Sequence, residues 1–339
     1  MDAIDRDRYE VHPIGISKAG RWITSGDPMA LLSSGGHMDD EVEHHALVSA
    51  GLRELVPGMQ QARFPDVDVV FPVLHGTFGE DGTVQGLLEL AGLPYVGAGV
   101  LGSALGLDKV AMKDVFRAHA LPVADYTVVM RGTWRERHQE SIASIETRFC
   151  YPVFVKPANL GSSVGVSKAH NRDELANALD VAARFDRKIL VEVAINAREI
   201  ECSVLGNDHP IASVVGEVVP CHEFYDYSAK YIDQGSELYI PADLPDDTAR
   251  LIGDLAIRAF LAIDCAGMAR ADFFVCRDTG QVYINELNTI PGFTNISMYP
   301  KLWEASGIPY PELIDRLIAL AVERFEDKRG SETSFDIRE

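Results

Sequence analysis

The sequence predicts an α/β protein of three modules, and three observations carry that expectation. First, an apolar run ending in His-Gly, "VDVVFPVLHG" (67–76), is followed by a helical "TVQGLLELAG" and a short "LPYVG" (93–97). Strand, helix and strand in that order predict a parallel α/β unit. Second, strands at "LPVADYTVV", "YPVFVKPA" (151–158) and "KILVEVAI" surround an amphipathic helix, "NRDELANALDVAARF", which Asn171 starts. Third comes a strand-rich stretch: "REIECSVLG" (198–206), "PIASVVGEVVP" (210–220) and "RADFFVCRDTGQVYINELN" (270–288). The modules are expected at about 1–108, 109–191 and 192–330, with a tail at 331–339.

The intervening segments fit that plan. "LDKVAMKDVFRAHA" (107–120) has Val110, Val115 and Phe116 near helical spacing. Asn207-Asp208 is a turn signal between two antiparallel strands. Residues 222–240 form a long, irregular, tyrosine-rich loop, and "PDDTARLIGDLAIRAFLAI" is a helix with a proline and acidic start. "YPELIDRLIALAVERF" closes the chain as a helix.

Composition excludes several classes. The 339 residues allow two or three cores, and 31 basic against 51 acidic residues leave a net charge of −20. That charge carries no basic footprint for nucleic acid or an anionic membrane. Cys150, Cys202, Cys221, Cys265 and Cys276 are scattered, odd in number and without CxxC spacing. They fit reduced core thiols in a cytoplasmic protein better than a disulfide or zinc framework. No window approaches a membrane-spanning apolar run, and the first ten residues are not a signal peptide.

Two stretches carry chemistry. On a strand, residues two apart share a face, so Arg270 lies with Asp272 and Glu286 with Asn288. A three-residue loop within "RDTGQ", with Gly280 left-handed, sets Asp272 opposite Glu286 and Arg270 opposite Asn288. Like charges directly opposite destabilise a sheet, and a hard cation such as Mg²⁺ reverses that penalty. On spacing alone the hairpin reads equally as a solvated face on which Arg270 neutralises one acid. The second stretch, "KPANLGSSVGV" (156–166), sets a lysine before a loop of Gly161, Ser162, Ser163 and Gly165. Such a loop can turn backbone N–H groups and hydroxyls towards phosphate oxygens, although it is not a GK[ST] loop. Together the two stretches predict Mg-nucleotide binding.

With "HGTFGEDGTVQG" (75–86), "GLDKVAMK", "VEVAINAREIECSVLG", "YDYSAKY" (225–231) and "NELNTIPGFTNISMYPKLW", the chain resembles the ATP-grasp ligases, and within them the D-alanine–D-alanine ligases. The likeness runs from about residue 9 to 326. It implies the ATP-grasp fold, with ATP clamped between the central and C-terminal modules and Mg²⁺, or Mn²⁺ in its place, beside it. Lys109 and Lys156 would contact the phosphates under a loop holding Ser162 and Ser163, and Glu192 and Glu199 would hold adenine and ribose. Asp272, Glu286 and Asn288 match the metal ligands. Arg270 matches the charge facing the reacting carboxyl group, and Gly292 an N–H donor to the oxyanion. Lys230, which also lies towards the nucleotide, and Ser297 would grip the second substrate's carboxylate, with His75 and Tyr231 lining the amino-acid pocket. Arg270, Gly292, Ser162, His75 and Tyr231 would then form the reacting centre. The resemblance also implies homodimers, D-alanine as both amino acids, and a role in peptidoglycan precursor synthesis; "YDYSAKY" is the pattern of the dipeptide-forming members.

Taken singly, His75 reads as a strand cap, Glu192 and Glu199 as surface acids, Tyr231 as a packing aromatic and Lys230 as a cation–π partner. The chain departs from the family at its start. The usual GG-x-S-x-E segment occurs nowhere, and a strand and a substrate-holding glutamate are expected to be missing with it. Three alternatives follow: a natural start further upstream, a short form of the ligase, or a nucleotide-binding protein without ligase activity. Another ATP-grasp carboxylate–amine ligase is the remaining enzyme alternative.

Overall fold

A computed structural model describes residues 3–16, 22–23, 67–161, 163–219, 237–294 and 296–332. The chain divides into two compact units, Met1–Asp68 and Val69–Glu339. In the first, β1 (Gly15–Ile16) pairs antiparallel with β2 (Trp22–Ile23). The second unit takes in residues 69–108 together with everything after them.

The strand expected over 67–76 is shorter than its apolar run. Among the described residues it forms one parallel bridge, Val70 with Tyr95, through Val70 N–H to Pro94 O (2.8 Å) and Val96 N–H to Val70 O (2.9 Å). Pro72 has no N–H to extend that ladder. The expected helices form at Thr83–Ala91 and Lys109–Ala118, and between them Val100–Leu107 is also helical.

Two antiparallel sheets follow. One has the order β3 (Tyr126–Met130), β6 (Lys188–Val193), β4 (Val153–Pro157), β5 (Ser167–Ala169). The other runs β11 (Val282–Asn288), β10 (Gly267–Cys276), β7 (Ala197–Gly206), β8 (Ile211–Val219), β9 (Glu237–Tyr239). The module seam expected at 191/192 falls inside β6, whose ladder runs on to Val193; the passage to the second sheet is residues 194–196.

Helices cover one face of each sheet. Arg172–Phe185 starts at Asn171, whose side chain accepts from Glu174 N–H (3.0 Å), as the sequence predicts. It shares a core with His138–Arg148 against the four-stranded sheet. Behind the five-stranded sheet, Asp246–Ala262 packs on alternate residues of β10, namely Ala269, Ala271, Phe273 and Val275. Period-two alternation therefore turns Arg270, Asp272 and Phe274 to the opposite face. That opposite face carries the site.

Candidate active site

A cleft of about 640 Å³ opens between the two sheets, lined by Lys109, Lys156, Glu192, Glu199 and Glu286 among others. A recess of about 30 Å³, near the volume of one water molecule, shares Lys109, Gly161 and Glu286 with the cleft and adds Glu80 and Asn288. Of the sequence-predicted residues, Lys109, Lys156, Ser163, Glu192, Glu199 and Glu286 line the cleft, and Asn288 lines the recess beside it.

Lys109 opens its helix directly after Asp108. The Asp108 carboxylate caps the helix by accepting from Val110 and Ala111 N–H (both 3.1 Å) and pairs with Lys188 of β6. The cap fixes where Lys109 projects. Its ammonium donates to Leu160 O (2.7 Å) and lies 3.6 Å from Glu286. Lys156, on β4, is ion-paired to Glu192 of β6. Burial opposes the Lys156 charge, but Glu192, then Glu286 and Glu199, outweigh it and raise its pKa.

Glu192 is 2 % exposed, so it is no surface acid. The resemblance assigns it to the nucleoside, but both its oxygens face lysines: Lys156 on one, Lys113 at 3.2 Å on the other. Burial pushes its pKa up, yet the two ammonium groups overcome this and hold it at about 2, below the ordinary 4.5. A carboxylate with a depressed folded-state pKa adds stability that is complete above the unfolded value and lost as pH falls through the folded one. Glu192→Gln is therefore expected to lower Tm at neutral pH and to flatten the acid limb of a Tm-versus-pH profile between pH 4.5 and about 2. An unchanged acid limb would show that Glu192 titrates normally.

The loop after β4 is shaped by its glycine. Gly165 has φ +73°, and a Cβ there would meet Phe185 Cδ2 at 2.6 Å and Pro157 Cγ at 2.9 Å. Ser163 adopts a left-handed φ of 57°. Turns of Val164 N–H to Gly161 O and Val166 N–H to Ser163 O (both 3.3 Å) hold the loop at the cleft mouth. Ser162 lies outside the described residues, as do Lys230 and Tyr231.

On the facing sheet the predicted register holds: Asp272 pairs with Glu286 and Arg270 with Asn288. The route to it differs from the expectation. Cys276 N–H bonds Gln281 O (2.9 Å), so the loop has four residues, 277–280, with Gly280 at φ 70°. A bulge then leaves Asn285 unpaired and restores the register, directing Asn285 to the cleft. Across β10, Asp272 also pairs with Glu201 of β7. Three carboxylates thus stand in a row across three strands. Arg270 Nε contacts Glu201 (2.9 Å) and Asp272 (2.7 Å), its Nη2 donates to Asp272 (2.8 Å), and Asn288 Nδ2 donates to Asp272 (2.9 Å). Burial opposes the Arg270 charge, but these two carboxylates hold its pKa well above the usual value. The solvated-face reading of the hairpin does not survive this.

His75 is half-exposed, with Nδ1 3.5 Å from Glu80, whose other oxygen accepts from Gly76 N–H (2.6 Å). Gly292 and Ser297 are adjacent: a Cβ on Gly292 would lie 2.9 Å from Ser297 Oγ. That hydroxyl accepts from Thr294 N–H (3.1 Å) at the start of the helix Met298–Ala305. Lys113, Glu80 and Glu201 are not singled out by sequence. Lys113 follows Lys109 by one helical turn and Glu201 follows Glu199 by two strand positions, and that shared-face spacing was the available signal. Of the cysteines expected in the core, Cys202 and Cys265 are buried, Cys150 is exposed, Cys276 is half-buried, and Cys221 lies outside the described residues.

The chain can now be set beside known proteins. The family profile for "D-ala D-ala ligase C-terminus" matches residues 115–319, and that for "D-ala D-ala ligase N-terminus" residues 1–98. A D-alanine–D-alanine ligase of Ruminiclostridium cellulolyticum is 51 % identical, covering 98 % of this chain and 92 % of that one. Another, of Acetivibrio thermocellus, is 52 % identical over 96 % and 90 % of the two chains. Among solved structures, the D-alanine-D-alanine ligase of Coxiella burnetii has TM-score 0.78 at 36 % identity, covering 97 % of this chain and 88 % of its own. The VanG D-Ala:D-Ser ligase of Enterococcus faecalis has TM-score 0.78 at 33 % identity, covering 94 % and 92 %. With both profiles matched across most of its length and an ATP-grasp architecture around the cleft, this chain belongs to the D-alanine–D-alanine ligase family.

Proposed function

We propose that this chain joins two D-alanines into D-alanyl-D-alanine, using ATP, for peptidoglycan precursor synthesis. The observation that carries this reading is the cleft itself, with Lys109 and Lys156 on one side and, on the other, Glu286, the end of the carboxylate row Glu201–Asp272–Glu286. That pairing suits phosphoryl transfer, which needs alignment and charge neutralisation more than a nucleophilic side chain.

In this reading Lys109 and Lys156 hold the phosphates under the 161–166 loop, which carries Ser162 and Ser163. Glu199 and the backbone of 193–195 line the part of the cleft suited to ribose and base. Asp272, Glu286 and Asn288 fit a hard divalent cation: their donors are oxygens, two carboxylates stand directly opposite one another, and Glu286 and Asn288 border the small recess. Asp272, Glu286 and Asn288 would hold Mg²⁺, or Mn²⁺, there, and the ion would neutralise charge on the phosphate oxygens.

A carboxylate oxygen of the first D-alanine attacks the γ-phosphorus, forming D-alanyl phosphate and releasing ADP. The amine of the second attacks the acyl carbon, loses a proton, and the tetrahedral intermediate expels phosphate. Arg270 faces the reacting carboxyl group, and the Gly292 N–H stabilises the oxyanion. By the family resemblance, Ser297 and Lys230 are assigned to the second carboxylate, and His75 and Tyr231 to the amino-acid pocket. The free thiols of Cys150, Cys202, Cys265 and Cys276 suit a reducing, cytoplasmic setting.

The test is ADP formation with Mg-ATP and D-alanine, with L-alanine, D-lactate and D-serine as comparison substrates. A D-alanine-dependent signal with dipeptide as product is expected. ADP binding without any amino-acid-dependent turnover would favour the nucleotide-binding alternative, and preference for another acceptor would change the second substrate.

A further inference from the structure

Lys113 is 1 % exposed and takes no part in the mechanism above; burial lowers its pKa from the ordinary lysine value, and Glu192 opposes that fall. It lies one helical turn beyond Lys109, with its ammonium 3.2 Å from Glu192 Oε2, while Lys156 takes Oε1. Among the described residues, neither Lys113 Nζ nor Glu192 Oε2 makes a hydrogen bond of good geometry, so the contact is Coulombic. Burying an ammonium in this way is costly, and an apolar side chain of the same length would fill the space without that cost. Packing therefore does not account for a lysine here.

Charge does. Glu192 alone would neutralise Lys156, and on the facing wall Glu286 is already matched by Lys109. With Lys113 added, two ammonium groups share one carboxylate, and the group Lys113–Glu192–Lys156 keeps one net positive charge. We propose that Lys113 is a positioning residue that acts through Glu192, leaving the Lys156 ammonium available to the phosphates of a bound nucleotide. This rests on the nucleotide reading of the cleft.

The experiment titrates the full chain and its variants with ADP and with adenosine. Lys113→Met is expected to weaken ADP binding on the order of tenfold, the effect of one buried charge a few ångströms beyond the first lysine, and to leave adenosine binding unchanged. The double variant Lys113→Met/Glu192→Gln removes one charge of each sign, restores the net positive charge, and is expected to recover ADP affinity. ADP and adenosine weakening together would mean a structural role and overturn the proposal, as would a double variant that binds ADP no better than Lys113→Met. If Lys113→Met does not fold, the double variant decides alone: ADP affinity like the unmodified chain supports the assignment, and weakened affinity overturns it. An unmodified chain that binds neither ligand would instead overturn the nucleotide reading itself.

Discussion

Arg270→Lys is expected to leave the fold intact and to lower kcat on the order of 10²–10³-fold. Lysine keeps a positive charge between Glu201 and Asp272, so the buried carboxylates retain a counter-ion. It cannot reproduce the two-nitrogen grip on Asp272, at 2.7 and 2.8 Å, that fixes the direction of the guanidinium. Arg270→Met is the contrasting variant. It leaves Asp272 and Glu201 without their cation and is expected to destabilise the chain by about 3–5 kcal/mol. Thermal unfolding and steady-state kinetics on both variants separate positioning from charge. A lysine variant with kcat near that of the unmodified chain would remove Arg270 from the reacting centre.

Glu286→Gln is expected to abolish most activity at ordinary Mg²⁺ and to raise the Mg²⁺ needed for half-maximal rate by about 10–100-fold. Its effect on stability should be small and of either sign. The substitution weakens the contact of Lys109 with Glu286 at 3.6 Å but removes repulsion from Asp272 directly opposite, and cross-strand terms of this kind are about 0.2–1 kcal/mol each. Large loss of activity with little change in metal-free Tm marks a ligand, whereas a Tm that collapses with no change in Mg²⁺ dependence marks a structural ion pair.

How much of this was legible in the sequence differs by kind of signal. The Asp272–Glu286 register was, since period-two alternation and Gly280 bracket the turn. The four-residue loop and the bulge at Asn285 were not: the extra residue in each offsets the other, and no local motif marks either. Asn171 and the acidic start at Asp246 announced their helices. Val100–Leu107 did not, because "VLGSALGL" has little polar face to give a period. Buried charges were the harder case. Lys113, Glu201 and Glu80 look in sequence like solvated surface residues; spacing from Lys109 and Glu199 hints at the first two, and the tertiary pairing with Glu192, Arg270 and His75 places all three. Conversely, Lys109, Gly292 and Ser297 were named through the family resemblance alone; in the fold Lys109 lies beside Glu286, and Gly292 beside Ser297.

The central claim is that a D-alanine carboxylate is activated by phosphorylation in this cleft, and oxygen tracing tests it directly. D-alanine carrying ¹⁸O in its carboxylate would be turned over with unlabelled Mg-ATP, and the released phosphate analysed by mass spectrometry. Attack on the γ-phosphorus followed by amine attack on the acyl carbon carries one carboxylate oxygen into each phosphate. Singly labelled phosphate, formed together with dipeptide, is the predicted result. Unlabelled phosphate would mean that water, not a D-alanine carboxylate, receives the phosphoryl group, and would contradict the account.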